Sequence, residues 1–250
     1  MTVQTPPSPQ PYSPVDPKNM TVVEHLEELR RRLIISIIGV AAGSVVGWFL
    51  APRVLRILVH PVEQIFHQKL YVDTVYGAFT LQLKVAIILG FMIALPITVY
   101  QVWAFVAPAF GPGANRWAPI WMFSALALFA GGAVTGYFVF PLALHFFGGF
   151  QGSLPVQVLP FANQYIGFIT LILVVFGLSF ELPLVLVSLS AVGVTSSGWL
   201  ASKRIYAFFA IFAFAMIVTP GADWISPLIL GAILYVLFEA SIIVSRLLGK

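Results

Sequence analysis

Cysteine is absent from the 250 residues, which excludes disulfides, thiolate metal sites and cysteine nucleophiles. Charge is nearly as scarce: Asp, Glu, Lys and Arg make up 9% of the chain, against about 25% in an ordinary soluble domain. With 60% hydrophobic residues and a mean hydropathy of +0.97, the chain reads as an all-α, polytopic membrane protein. It has no GxxxxGK[ST] phosphate loop, so it does not itself supply energy from nucleotide hydrolysis. A nucleic-acid reader would need a clustered basic face. The net charge here is only +4, and the one tight run, Arg30-Arg31-Arg32, stands just before an apolar segment and reads as a topology signal. His25, His60, His67 and His145 show no ligand spacing, so no metal and no cofactor are expected. The first twenty residues have neither an early positive cluster nor an apolar core, so no cleavable signal peptide is expected.

Taken in order, residues 1–20 contain Pro6, Pro7, Pro9, Pro11, Pro14 and Pro17 and little that could pack. They read as a disordered tail ahead of a transmembrane domain over residues 21–250. The Thr21 and Glu24 spacing is that of a capping box, which predicts a helix start. Val22, Leu26, Leu29 and Leu33 then recur on one face, while Glu27 with Arg31 and Glu28 with Arg32 form i,i+4 pairs in the favourable order. This pattern predicts an amphipathic lead-in along the membrane surface.

Residues 33–51 carry no charge and would measure about 28 Å as a helix, enough to cross a hydrocarbon core of about 30 Å. Pro52 is read as its end, with residues 52–79 forming a small external cap of short helical pieces. Five further spans follow, over about 85–105, 117–140, 163–189, 205–219 and 224–243. Pro96 should kink the second, and Lys84 can snorkel at its edge. Residues 141–160 read as a second external loop that includes His145. The last two spans look short, since one stops at Pro220 and the other meets Glu239 soon after Trp224.

Six spans put both termini on one side of the membrane. Lys18, Arg30, Arg31, Arg32, Arg116, Lys203, Arg204, Arg246 and Lys250 fall on that side, against Arg53, Arg56, Lys69 and Lys84 on the other. The bias predicts cytoplasmic N- and C-termini.

One carboxylate stands out. From Trp117 to Phe180 there is no Lys, Arg, Asp or Glu, and then comes Glu181. A charge near the bilayer centre costs about 2.5–3.5 kcal/mol on insertion scales, so such a residue faces a protein interior or a wet cavity. Three classes of function are open to it. It could serve a proton-coupled small-solute permease, it could be a polar docking point for a partner helix or peptide, or it could simply hydrogen-bond a neighbouring helix. An intramembrane serine protease is suggested by Gly177-Leu178-Ser179-Phe180, but the residue after the serine is not glycine and no base is placed beside it. No catalytic residue is assigned.

Several separated motifs then resemble one family. They are His25-Leu26-Glu27-Glu28-Leu29-Arg30-Arg31-Arg32-Leu33, the stretch from Pro96 to Phe110 containing Gln101-Val102-Trp103-Ala104-Phe105, Phe180-Glu181-Leu182-Pro183, and Thr219-Pro220-Gly221-Ala222-Asp223 followed by Phe238-Glu239. In this order they resemble the TatC family of the twin-arginine protein translocase, over about residues 21–248. The resemblance implies a six-helix, glove-shaped subunit of the prokaryotic cytoplasmic (inner) membrane, embedded in lipid and oligomeric in its receptor complex. It implies binding of twin-arginine signal peptides, assembly with TatA-type and TatB-type single-span partners, and export of folded proteins driven by the proton-motive force.

By similarity, Glu24, Glu28 and Arg30, with Pro96, Phe105 and Pro108, belong to the signal-peptide side. Glu181 is the polar residue inside the concave face and Asp223 marks the external turn. Two departures are visible. The family's acidic position in the first cytoplasmic loop falls at about Ala114, and a glutamine often found four positions after the turn aspartate is Pro227 here.

Overall fold

The computed structural model describes residues 22–66, 69–111, 114–149, 161–219 and 224–249. The tail over residues 1–20, Thr21 of the capping box and the turn residue Asp223 lie outside them. Eight α-helices occur among the described residues: α1 (Val22–Phe66), α2 (Gly77–Val106), α3 (Ala118–Gly149), α4 (Ala162–Ser179), α5 (Leu182–Val192), α6 (Ser197–Ser202), α7 (Arg204–Val218) and α8 (Ile225–Leu247). Five helical stretches are long and apolar enough to cross a membrane, with α4 and α5 counting as one; α7 is apolar but has only 15 residues. Large apolar side chains cover the outside, among them Phe49 and Phe123, each 75% exposed, and Ile217, 83% exposed. Exposure on this scale calls for lipid as the solvent.

The main departure from the sequence reading is in α1, which does not stop at Pro52. It runs unbroken for 45 residues through Pro52 and Pro61, about 67 Å at 1.5 Å per residue, so the lead-in, the first span and much of the supposed external cap are one rod. A proline inside a helix strands the carbonyl four residues earlier. Here those carbonyls are those of Trp48 and Ile57, and both find side-chain donors: Gln82 Nε2 donates to the Trp48 carbonyl at 3.3 Å and Tyr137 Oη to the Ile57 carbonyl at 3.3 Å. Tyr165 Oη adds a 2.7 Å bond to the Leu58 carbonyl. Neighbouring helices thus re-satisfy the backbone that the prolines free, which is how membrane helices tolerate proline.

Glycine lets α1 and α2 approach closely. Gly39, Gly43 and Gly47 recur every fourth residue on α1 and face Ala86, Gly90 and Ala94 on α2. A Cβ built on Gly43 would stand 2.6 Å from the Gly90 carbonyl oxygen, and one on Gly47 would stand 2.5 Å from that of Ala86. Small residues at such spacing pack backbone against backbone, the main source of helix association where no hydrophobic effect acts between helices. Gly132 on α3 meets the backbone of Phe176 and Gly177 on α4 in the same way.

Three other boundaries move. Helix α2 begins at Gly77 rather than near 85, which places Lys84 inside it, donating to the Asn163 carbonyl at 3.3 Å. The chain before it forms an isolated parallel bridge between Tyr71 and Phe161, where the Ala162 amide donates to the Tyr71 carbonyl at 2.8 Å. Helix α3 continues past Pro141 to Gly149, so His145 is an exposed helical residue and not part of a loop. Helix α8 runs through Glu239 to Leu247, so only α7 is short.

Candidate recognition site and the interrupted fourth span

On the helical lead-in, the i,i+4 spacing brings Glu28 and Arg32 to the side of α1 that meets α2, leaving Arg30 and Arg31 exposed. Oε1 of Glu28 accepts from Arg32 Nε at 3.0 Å and also from Arg32 Nη2. Arg32 Nη1 donates in turn to Oε1 of Gln101 on α2 at 3.4 Å. Both charged side chains are largely covered, at 14% and 15% exposure. The second carboxylate oxygen, Oε2, is buried without a hydrogen-bond partner among the described residues. One turn earlier on α1, the His25 ring stacks on Phe105 of α2, centroids 4.4 Å apart and planes 18° from parallel. The result is a polar notch between two helices, with one acceptor oxygen uncommitted.

Beneath it lies a small aromatic cluster. Trp103, 2% exposed, packs with Phe110 and Trp121 at ring distances of 5.4 and 5.2 Å, and Ala107 and Ala114 close the cluster. Ala114 is buried at 7% exposure and contributes packing to the loop. Pro108 is exposed in the 3-10 turn Ala107–Phe110, where the Gly111 amide donates to its carbonyl at 3.2 Å; Gly111 has φ 78, a left-handed conformation that suits glycine. Pro96 is exposed partway along α2, and Glu24 is exposed in the first turn of α1. Of the six residues assigned to signal-peptide binding, the structure brings Glu28 and Phe105 to one notch. Arg30 is exposed, and Glu28 pairs with Arg32 as the i,i+4 spacing predicts.

Glu181 sits where the fourth span breaks. Pro183 cannot bond the Ser179 carbonyl, so α4 ends there and α5 restarts two residues on. Between them the Glu181 amide closes a tight turn on the Leu178 carbonyl at 3.1 Å, and the Glu181 carbonyl accepts from the Val185 amide at 3.0 Å. The carboxylate is part-exposed and makes no side-chain cap bond to α5. Pro227 is buried in the first turn of α8 and offers no donor. The Ser179 hydroxyl is buried without a hydrogen-bond partner among the described residues, so it has no base beside it. Among those residues no three His, Asp or Glu side chains are grouped to hold a metal ion.

A second ion pair is absent from the sequence reading. Arg204, at the start of α7, forks onto Glu239 of α8, with Nε to Oε1 at 2.6 Å and Nη2 to Oε2 at 2.9 Å, and Tyr235 Oη donates to Glu239 at 3.4 Å. The pair explains how α8 carries an acid through an apolar segment, since its charge is matched in fork geometry. The available signal was a lone Arg at one helix start and a lone Glu in the next helix.

Comparison with known proteins extends over this whole arrangement. The family model for the Sec-independent protein translocase protein (TatC) matches residues 24–232. A Sec-independent protein translocase protein TatC from Carboxydothermus hydrogenoformans is 37% identical over 233 residues, 93% of this chain and 95% of the relative. One from Aquifex aeolicus is 35% identical over 232 residues, 91% and 95% of the two chains. Two crystal structures of the twin arginine translocase receptor TatC superpose with TM-scores of 0.76 and 0.78 at 33% and 34% identity. They cover 91% and 89% of this chain and 100% and 99% of theirs. On the family match and on these relatives, the chain belongs to the TatC family.

Proposed function

We propose that this protein is the receptor and core subunit of a twin-arginine translocase. It binds the paired arginines of a signal peptide at the Glu28 notch and gathers TatA-type and TatB-type single-span partners, with Glu181 as a polar docking point for helices inside the bundle. The observation that carries the reading is the Glu28 carboxylate, held between α1 and α2 with one oxygen uncommitted among the described residues. A guanidinium is the cation that suits such an acceptor, being planar, permanently charged and more weakly hydrated than an ammonium.

The finer architecture belongs to the same proposal. Short α7 forms a sixth crossing, the bundle is glove-shaped and oligomeric in its receptor complex, and both termini face the cytoplasm of a prokaryotic cell. The Lys and Arg bias of the connecting segments supports that orientation. Glu24 and the loop around Pro108 border the notch side, Asp223 belongs to the external turn, and transport draws on the proton-motive force. No further observation favours a small-solute permease.

Photo-crosslinking separates the two roles. A crosslinker at exposed Leu29 should capture a twin-arginine peptide, and one at exposed Leu178 should capture single-span partner helices or the apolar part of the peptide. A Leu178 probe that labels lipid alone would remove the docking role of Glu181.

A further inference from the structure

The notch already holds a guanidinium of its own. Arg32 places two N–H groups on Oε1 of Glu28 and its third nitrogen on Gln101, while Oε2 is left buried and unpartnered among the described residues. We infer that Arg32 is a specificity-determining residue, an internal competitor that makes the Glu28 site select arginine over lysine in an incoming peptide. The inference rests on the reading that Glu28 receives the paired arginines.

The argument is one of exchange. Oε2 is buried and Arg32 occupies Oε1, so an incoming cation gains the carboxylate only by exchanging with Arg32, in a notch where Glu28 is only 14% exposed. A guanidinium can do this because it sheds water readily, lies flat against another guanidinium and offers two N–H groups for the two that Arg32 places on Oε1. Its bonds to the carboxylate replace those of Arg32 one for one, and Arg32 keeps Gln101 as an acceptor. An ammonium is a compact, strongly hydrated point charge. It would have to lose more of its hydration, face the Arg32 charge at close range and replace a contact of two N–H groups with a single one. Glu28 alone would attract either cation; Arg32 supplies the difference between them.

Arg30, two positions away, cannot take this role, because it is exposed on another side of α1. The ring stack of His25 on Phe105 stands one turn before Glu28 on α1.

The test uses the full chain in lipid nanodiscs and two synthetic signal peptides that differ only in Arg-Arg against Lys-Lys, with binding read by fluorescence anisotropy. The unmutated protein should prefer the arginine peptide by about tenfold or more, the size of one charge-assisted bond. Arg32→Gln should bring the ratio to within about threefold, chiefly because the lysine peptide binds more tightly, and Arg32→Lys, which keeps the charge but loses the paired N–H contact, should lower it part of the way. Arg32→Lys keeps the charge and protects the result against a fold effect. An unchanged ratio in both variants, or a parallel weakening of both peptides, would overturn the inference and leave Arg32 a structural residue. Glu28→Gln serves as the separate control: it should weaken both peptides, and if it weakens neither, the receptor reading of Glu28 fails on its own account.

Discussion

Replacing Gly90 with leucine should separate α1 from α2 and leave little folded protein. A Cβ built at this position would stand 2.5 Å from the Ser44 amide nitrogen and 2.7 Å from its Cα, atoms that belong to the α1 backbone and cannot turn aside as a side-chain tip could. Overpacking a well-filled interior costs about 1–3 kcal/mol and sometimes more. Backbone against backbone is the least forgiving case, and total stability is only about 5–15 kcal/mol. The effect should reach beyond packing, because Gln101 and Phe105 on α2 face Glu28, Arg32 and His25 on α1. A variant that spreads the two helices should lose the notch. The control is Gly131→Leu on α3, where a built Cβ meets nothing within 4 Å and the residue is exposed. Thermal unfolding followed by size-exclusion chromatography in detergent should show Gly90→Leu aggregating well below the parent and Gly131→Leu within about 0.5 kcal/mol of it. A Gly90→Leu protein as stable as the parent would mean that α1 and α2 do not pack through these residues.

The second large effect is on recognition. Glu28→Arg places a new guanidinium against Arg32, with Gln101 as their shared acceptor, and removes the carboxylate. Loss of a charge-assisted bond is worth about 1.5–3 kcal/mol, so capture of a twin-arginine peptide should fall about tenfold to a hundredfold, with like-charge repulsion adding to the loss. The residue is largely covered but lies in the second turn of α1, where a helix end can shift without disturbing the rest of the bundle. Thermal stability close to that of the parent, measured on the same preparation, distinguishes lost recognition from lost structure. Capture at the parental level would show that Glu28 does not hold the peptide.

Much of the local order was readable from spacing alone. The Glu28 and Arg32 pair follows from four residues of separation on a helix, whereas the break at Glu181 interrupts what reads as one span over about 163–189, although Pro183, two positions on, was its signal. The apolar segments announce themselves by composition. What could not be read was whatever depended on partners far along the chain. Pro52 and Pro61 look like helix ends until Gln82 and Tyr137 are known to serve the carbonyls of Trp48 and Ile57. Glu239 looks like the end of an apolar run until Arg204 is found against it. One signal was present and unused: glycine at positions 39, 43 and 47 has the spacing of a close helix contact.

The burial of Ala114 bears on how the site works here. Where the resemblance implied an acid, at about Ala114, the structure shows a methyl group packed in the Trp103 cluster. In the proposed reading, recognition rests on α1, with Glu28 as the acceptor and Glu24 one turn before it.

The most direct measurement is equilibrium binding of the unmutated protein, in lipid nanodiscs, to a twin-arginine peptide and to its twin-lysine counterpart at matched ionic strength. A site built around the Glu28 notch predicts a preference for the arginine peptide of about tenfold or more. Equal affinity for the two peptides would contradict it.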